Sequence, residues 1–556
     1  MDFYNIQQEK YTMKLLSSLE KVFQDEEPVY KPECLVLSAL WGETVSFQAA
    51  YMGRHEVREC VEVKIESKLK NNIRVRTVEQ VPVGRAVNCK VDDNYLRTTA
   101  GLYPDLLRDL KDGKVIVCTN QWRSLWIDVK VTDEIAPGTY DVTVSLEKDG
   151  EIICTQTMHL TVYGVTLSKQ KIMHTEWMHA DCLADYYKVD AFSEEHWKIL
   201  ENYFRQYVDR GGNMMLTPLF TSPLDTAVGG ERTTTQLIGV EVKNGDYYFD
   251  FNKLKRWIDL CQKCGIEYFE MSHLFSQWGA KATPKIVANV NGNEEKIFGW
   301  HTPAVGEYTR FLEVFLPLLA EKLKEWRVED KTYFHISDEP AEADLESYRA
   351  AKESLGNMLD DFHTFDALSS YEFYKHGLID KPVPGNDEID EFLEHGLMDM
   401  WTYYCTMQCY EVSNRFMSMP SSRNRILGVQ LFKYDIIGFL HWGYNFYNSQ
   451  FSTEHINPYE ITDAMNAFPS GDAFLVYPGK DKRPEESIRA MVLYEALTDL
   501  RALEYLGELT SKEYVMDMIE GELPEPLTFK KYPKSDMYLL TLRNRVNKAI
   551  NTIVNS

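Results

Sequence analysis

The hydrophobic period of this chain changes near residue 170, and that change limits the fold to two architectures in series. From residue 34 to about residue 167 the apolar residues come in short alternating runs, at 44–48, 61–65, 73–76, 126–131 and 140–146. A period of two marks strands with one buried face. Ala136-Pro137-Gly138-Thr139 reads as a turn into the last of these runs, and Lys148-Asp149-Gly150-Glu151 marks a hairpin before Ile152. Short strands separated by turns predict an antiparallel β-sandwich. Ahead of it, Leu15, Leu16, Leu19, Val22 and Phe23 fall on one helical face, so residues 1 to about 30 are expected to form a helical lead-in.

Beyond residue 170, strand-length apolar runs alternate with helical patterns. Strands are expected at 171–178, 213–220, 266–274, 331–337, 362–367, 397–404 and 426–432, and helices at 194–210, 252–264, 305–326 and 341–359. Roughly eight such steps in about 300 residues is the arithmetic of a (β/α)8 TIM-type barrel. A doubly wound open sheet is the alternative, but no Gly-rich phosphate loop follows an early strand. The end of the chain is helical at 487–509, 512–519 and 536–551, and the first of these helices is expected to close the barrel. The domains so read are 1–167, a helix and β-sandwich; 168–510, the catalytic barrel; and 511–556, a helical C-terminus.

Composition removes several classes of function. A net charge of −25 with no basic cluster argues against nucleic acid and against an anionic membrane surface. No stretch reaches the roughly 18 apolar residues of a membrane span. The start, Met1-Asp2-Phe3-Tyr4-Asn5-Ile6, has neither the basic region nor the apolar core of a signal peptide, so a cytoplasmic protein is expected. Ten cysteines over 556 residues are too sparse for a disulfide scaffold. Cys261 and Cys264 form a single C-x-x-C inside a helical pattern, which suits buried thiols better than a metal or redox site. There is no His pair at helical spacing, no nucleophile elbow and no P-loop, so neither a metal nor a cofactor is expected. Homo-oligomer formation is left open.

The run Tyr333-Phe334-His335-Ile336-Ser337-Asp338-Glu339-Pro340 carries the chemistry. An apolar strand ends in two adjacent carboxyl groups, at the end of a barrel strand where such folds hold their active sites. Asp-Glu-Pro also suits the first turn of a helix. The other strand ends weigh against that simpler reading, because they too are rich in polar and aromatic groups. They supply Trp177, His179 and Asp181, then His273, Asp366, Trp401, Tyr403 and Tyr404, and finally Trp442 and Asn445. Sugars suit such a lining, since their C–H faces stack on rings and their hydroxyls need paired donors and acceptors. A glycan or glycoside is therefore the expected partner. Paired carboxyl groups are the working parts of glycoside hydrolysis, and retaining enzymes with their own nucleophile set the two about 5 Å apart on opposite sides of the anomeric carbon. Neighbours on a strand point to opposite faces and cannot readily do this. Either a distant acid such as Glu176, Glu270 or Asp366 is the nucleophile, or the 2-acetamido oxygen of the substrate is. A non-catalytic glycan-binding protein is the remaining alternative.

The sequence resembles glycoside hydrolase family 123 and its relatives with the domain of unknown function 4091, over most of its length. The resemblance is carried by Trp41-Gly42-Glu43-Thr44-Val45-Ser46-Phe47-Gln48 and Ala136-Pro137-Gly138-Thr139-Tyr140, and by Trp177-Met178-His179-Ala180-Asp181-Cys182-Leu183. It continues in Ile336-Ser337-Asp338-Glu339-Pro340, Trp401-Thr402-Tyr403-Tyr404, Gly438-Phe439-Leu440-His441-Trp442-Gly443-Tyr444-Asn445 and Asp472-Ala473-Phe474-Leu475-Val476-Tyr477-Pro478-Gly479. It implies a retaining β-N-acetylgalactosaminidase that uses substrate-assisted catalysis. Asp338 would then steady the acetamido group, and Glu339 would be the general acid/base.

Overall fold

The structure is a computed structural model that describes residues 10–31 and 35–556. Its contacts group into two compact units. One comprises residues 1–171, 409–434 and 485–556, and the other residues 172–408 and 435–484. Each is assembled from separated stretches of chain, whereas the boundaries read from the sequence cut at residues 167 and 510. No helix among the described residues is long and apolar enough to cross a membrane.

The first unit is built on a β-sandwich. One sheet runs Tyr11–Ser17, Glu43–Gly53, Arg123–Val131, Ile73–Val83, Gly101–Asp109, and the other Val36–Trp41, Glu151–Thr166, Gly138–Lys148, Arg58–Glu66, Lys114–Cys118. All pairs are antiparallel except Glu151–Thr166 with Val36–Trp41, which is parallel. The hairpin at 148–151 closes with Lys148 opposite Glu151, and Asp149 and Gly150 both take the left-handed backbone that such a two-residue turn requires. Phe47, Ala49, Leu125 and Ile127 from one sheet meet Val142, Val144, Leu146 and Leu160 from the other in a single core.

The expected helical lead-in is instead the strand Tyr11–Ser17, which pairs with Glu43–Gly53, followed by turns and irregular chain over residues 18–30; residues 1–9 lie outside the described residues. The reason lies in its two faces. Leu15 joins the inter-sheet core, while Leu16 packs on the opposite side with Val22, Ala50, Met52 and Trp122. A strand buried on both faces loses its period of two. The helix Ile488–Leu509, expected to close the barrel, groups instead with this first unit. It packs there against Leu427–Lys433 and Asp536–Val554.

The second unit is a nearly closed parallel barrel. Its strands are Met173–Glu176, Met214–Thr217, Tyr268–Met271, Thr332–Phe334, His363–Ala367, Lys381–Val383, Trp401–Tyr403 and Gly438–His441. Each except the sixth pairs in parallel with the next, and the eighth pairs with the first. The sixth and seventh meet only past the end of the sixth, where Asn386 donates to the Tyr403 carbonyl at 2.9 Å and Tyr403 to that of Pro384 at 3.1 Å. Seven helices follow the first six strands. Typical is Glu194–Asp209, which Ser193 caps by accepting from the His196 amide, with Glu194 and Glu195 in the first turn.

The barrel departs from a strict (β/α)8 pattern in three ways. Residues 426–432, expected as a strand, form the helix Leu427–Lys433 and belong to the first unit, and the eighth strand comes one step later. A mostly apolar run of seven residues is too short for its period to tell strand from helix. No α-helix follows the eighth strand within the barrel unit among the described residues. Two hairpins, at 239–250 and 286–298, are inserted beside the barrel and form a small sheet of their own. Inside, Met214 with Leu216, Phe365 with Ala367 and Trp401 with Tyr403 fill the barrel at i, i+2 spacing.

Candidate active site

The fourth strand is short. It ends at Phe334, and the chain runs on irregularly to Asp338 and Glu339. The acid pair therefore stands in a turn beyond the strand, so the alternation of a strand does not govern where the two side chains point. Two backbone bonds fix the turn. The Glu339 amide donates to the Ala367 carbonyl at 3.0 Å, and the Trp278 amide donates to the Asp338 carbonyl at 2.9 Å. Glu339 has φ 42°, a left-handed conformation that a non-glycine residue keeps only where its surroundings impose it. The result separates two neighbours by access. Asp338 is 8% exposed, whereas solvent reaches Glu339.

Both acids hold their protons more tightly than a free carboxyl group. Burial, and then the charge of Glu339 beside it, raise the pKa of Asp338 well above its ordinary value. Protein atoms crowd round Glu339 although solvent touches it, and this desolvation raises its pKa too. The Tyr403 hydroxyl partly offsets the effect by donating to Glu339 Oε1 at 2.7 Å. The Cys405 thiol lies 3.9 Å from the same oxygen.

Beneath the pair lies a buried polar network. Glu270 lies on the third strand two residues on from Tyr268, and His335 comes immediately after the end of the fourth. His335 Nε2 is 2.5 Å from Glu270 Oε1, and its Nδ1 is 3.1 Å from Asp366 Oδ1. Burial opposes charge on this ring, but Asp366 and Glu270 outweigh it and hold the His335 pKa at about 9. Glu270 also accepts from Thr175 Oγ1 and Trp177 Nε1, both at 2.6 Å. Asp366 also accepts from the amides of Ile336 and Ser337 and from the Tyr348 hydroxyl. His273 stacks on His335 with ring centroids 4.2 Å apart. It is buried with neither nitrogen hydrogen-bonded, and desolvation holds it neutral.

The remaining residues singled out from the sequence divide into two groups. Tyr403 and the half-buried Trp442 stand at the mouth, where the Trp442 ring nitrogen donates to Asp472 Oδ2 at 3.1 Å. Others are committed to partners within the protein. Asp181 is gripped at both oxygens by Arg232, whose Nη2 also lies 3.0 Å from His179 Nδ1. His179 Nε2 meets the Trp442 carbonyl at 2.9 Å, and Asn445 bonds the His179 backbone at both its N–H and its C=O. Trp401 packs inside the barrel against Phe365, and Tyr404 is fully buried against Phe439 and His441.

An acid pair over a buried histidine, at the open end of a parallel barrel, suits acid–base chemistry on a sugar. Comparison with known proteins decides the family. The model for the catalytic domain of glycoside hydrolase 123 matches residues 177–506, more than half of the chain. The chain belongs to glycoside hydrolase family 123. It is a glycoside hydrolase. A family 123 glycoside hydrolase from Clostridium perfringens has a similar fold, with a TM-score of 0.73 at 18% identity, covering 98% of this chain and 99% of that one. Two family 2 structures align far less well. One is a member from Bacteroides cellulosilyticus, with a TM-score of 0.26 at 11% identity, covering 72% of this chain and 43% of that one. The other is a β-galacturonidase from Eisenbergiella tayi, with a TM-score of 0.28 at 10% identity, covering 82% and 68%. Comparison with curated proteins finds no match.

In this family 123 chain the structure brings in several groups that sequence reasoning did not reach. Arg232 comes from a loop 51 residues from Asp181, and Tyr348 from a helix 18 residues before Asp366. Asp472 accepts from Trp442 and from the Thr406 hydroxyl. The segment around Asp472 carries part of the family resemblance, and that was the only signal for it.

Proposed function

We propose that this enzyme removes a terminal β-linked N-acetylhexosamine, preferentially N-acetylgalactosamine, with retention and by substrate-assisted catalysis. Glu339 protonates the leaving oxygen and later activates water. Asp338 accepts from the acetamido N–H and steadies the positive charge of the oxazolinium. The acetamido oxygen attacks the anomeric carbon in place of an enzyme carboxylate.

One observation carries this reading: the distant acids are unavailable as nucleophiles. Glu176, Glu270 and Asp366 are each at most 1% exposed. Glu270 and Asp366 are tied to hydroxyl, indole, imidazole and amide donors. Reaching a sugar would mean stripping a buried carboxyl group of those bonds, at several kcal/mol. Of the acids named from the sequence Asp338 and Glu339 remain, and they need between them one proton and one charge. The raised pKa of Glu339 suits the acid of the pair. The Clostridium perfringens relative acts in glycolipid glycan hydrolysis, so an oligosaccharide of that kind is a suitable first natural substrate.

A panel of nitrophenyl glycosides tests the reading. The 2-acetamido sugars should be cleaved and their 2-hydroxy counterparts very poorly. A thiazoline analogue of N-acetylgalactosamine should bind more tightly than the product sugar. Covalent labelling of Glu176, Glu270 or Asp366 by a 2-fluoro glycoside, together with indifference to the thiazoline, would overturn it.

A further inference from the structure

Two large aromatic side chains of the barrel unit stay open to solvent on strained backbone. Trp278 is 38% exposed at φ 57°, and the next two residues, Gly279 and Ala280, are also left-handed. Phe451 is 37% exposed at φ 59°, followed by Ser452 at φ 53°. Each non-glycine residue held this way costs roughly 1–3 kcal/mol, so the fold must impose the conformation. It does so with specific bonds. The Phe451 amide donates to Asp225 Oδ2 at 3.1 Å, its carbonyl accepts from Ala227 at 3.0 Å, and Ser452 Oγ donates to the Asp225 carbonyl at 2.7 Å. The rings meet edge to face, with centroids 5.8 Å apart at 89°.

Two features say what such a surface is for. The Trp278 amide donates to the carbonyl of Asp338, so this lip is tied to the acid pair itself. The residue before Trp278 in the chain, Gln277, is 5% exposed with Oε1 lacking any hydrogen-bond partner. An apolar ligand would leave that oxygen unpaired, whereas a ligand hydroxyl would satisfy it. Flat rings beside an unmet acceptor match a pyranose, with its apolar C–H face and its rim of hydroxyls.

We infer that Trp278 and Phe451 form a stacking platform for the leaving-group sugar of the substrate, with Gln277 accepting one of its hydroxyls. This rests on the assignment of Asp338 and Glu339 as the reacting pair. The platform contributes binding remote from the reacting bond, so it acts through the nature of the aglycone.

The test compares three substrates on the full-length enzyme: a disaccharide of N-acetylgalactosamine β-linked to galactose, the methyl glycoside, and the octyl glycoside. Trp278→Ala should lower kcat/KM on the disaccharide by about tenfold, the equivalent of about 1.4 kcal/mol, and leave the methyl glycoside within about threefold. Trp278→Phe should recover part of the loss, and Gln277→Leu should lower only the disaccharide. Equal losses on the disaccharide and the methyl glycoside would make Trp278 a mere support for the acid turn and overturn the proposal. A loss on the octyl glycoside as large as on the disaccharide would make the platform an apolar surface and overturn it too. If the wild type cleaves none of the three, the assignment of the acid pair fails. Quenching of tryptophan fluorescence by the disaccharide, abolished in Trp278→Phe, then decides the platform by itself.

Discussion

The two units of this molecule bury charge in opposite ways. In the sandwich unit the buried carboxyl groups meet arginines. Arg76 bonds Asp128 at 2.7 Å and also bonds Glu486, and Arg489 holds both oxygens of Asp105. Arg425 spans Asp499 and Glu495, and Arg543 spans Asp499 and Glu43. At the barrel mouth the acids meet hydroxyls, an indole and a histidine instead. Arginine does not give up its proton in a protein, so its pairs are fixed in charge. Histidine and neighbouring acids exchange protons, and perturbed groups of that kind gather where chemistry is done. Asp181 marks the boundary inside the barrel unit itself. The sequence suggests a substrate group there, and in the structure Arg232 clamps it and holds its carboxyl below the usual range despite burial.

The largest expected effects test whether the mouth is chemical and not structural. Glu339→Gln should cost about 10²–10⁴-fold in kcat on glycosides with poor leaving groups and much less on activated aryl glycosides. Asp338→Asn should cost about 2.7–4 kcal/mol of transition-state stabilisation. Neither change should lower the melting temperature, since each removes an acid that is costly to ionise where it sits. Equal losses on both kinds of leaving group would take Glu339 out of the acid role. A marked loss of stability would place the pair with the fixed charges of the sandwich.

The matching change in the other unit should do the reverse. Arg425→Met leaves Glu495 and Asp499 without the guanidinium they share, and removing one member of a buried ion network costs about 3–5 kcal/mol. Urea or thermal unfolding would show that loss, while kcat per folded molecule stays unchanged. A variant of normal stability with altered kcat would break the comparison.

Much of this could be read along the chain, and what could not has a physical cause. The strands at 138–148 and 151–166 were legible because the turn at Asp149-Gly150 and an alternating face agree. The segment at 11–17 was not, because Leu15 and Leu16 are buried on opposite sides. The acid pair is local, and its place after an apolar run was visible. The network under it is not local. His335 reaches Glu270 across 65 residues and Asp366 across 31, and only the closing of the barrel brings them together. The burial of Glu176, Glu270 and Asp366 is likewise a property of the folded layer, not of any motif.

A smaller effect concerns His335. Its pKa is raised to about 9 in the folded protein, above an unfolded value of about 6.5. The stability it supplies is fully present below pH of about 6.5 and is lost as pH rises towards 9. At about 1.36 kcal/mol per unit the loss is at most about 3.4 kcal/mol. Unfolding free energies of the wild type and of His335→Gln, measured from pH 6 to 9, should converge as pH rises. Parallel curves would mean that the ring is neutral when folded, and the contrast with the arginine pairs would rest on geometry alone.

The smallest effect is the sharpest probe of the mouth. The Tyr403 hydroxyl donates to Glu339 at 2.7 Å and favours its ionised form. Tyr403→Phe removes that bond and keeps the ring, so the Glu339 pKa should rise further. A general acid works while protonated, so the basic limb of the kcat profile should move to higher pH. A hydrogen bond to a charged group contributes about 1.5–3 kcal/mol. That sets the shift at about one to two pH units as an upper range, because solvent reaches Glu339 and screens the interaction. Activity on the plateau should fall only a few-fold, since the acid itself remains. The same substitution should barely change stability, because Tyr403 keeps its packing within the barrel. A basic limb that stays in place would mean that the group titrating there is not Glu339, and the one proton of the pair would then have to be assigned to Asp338 throughout the cycle.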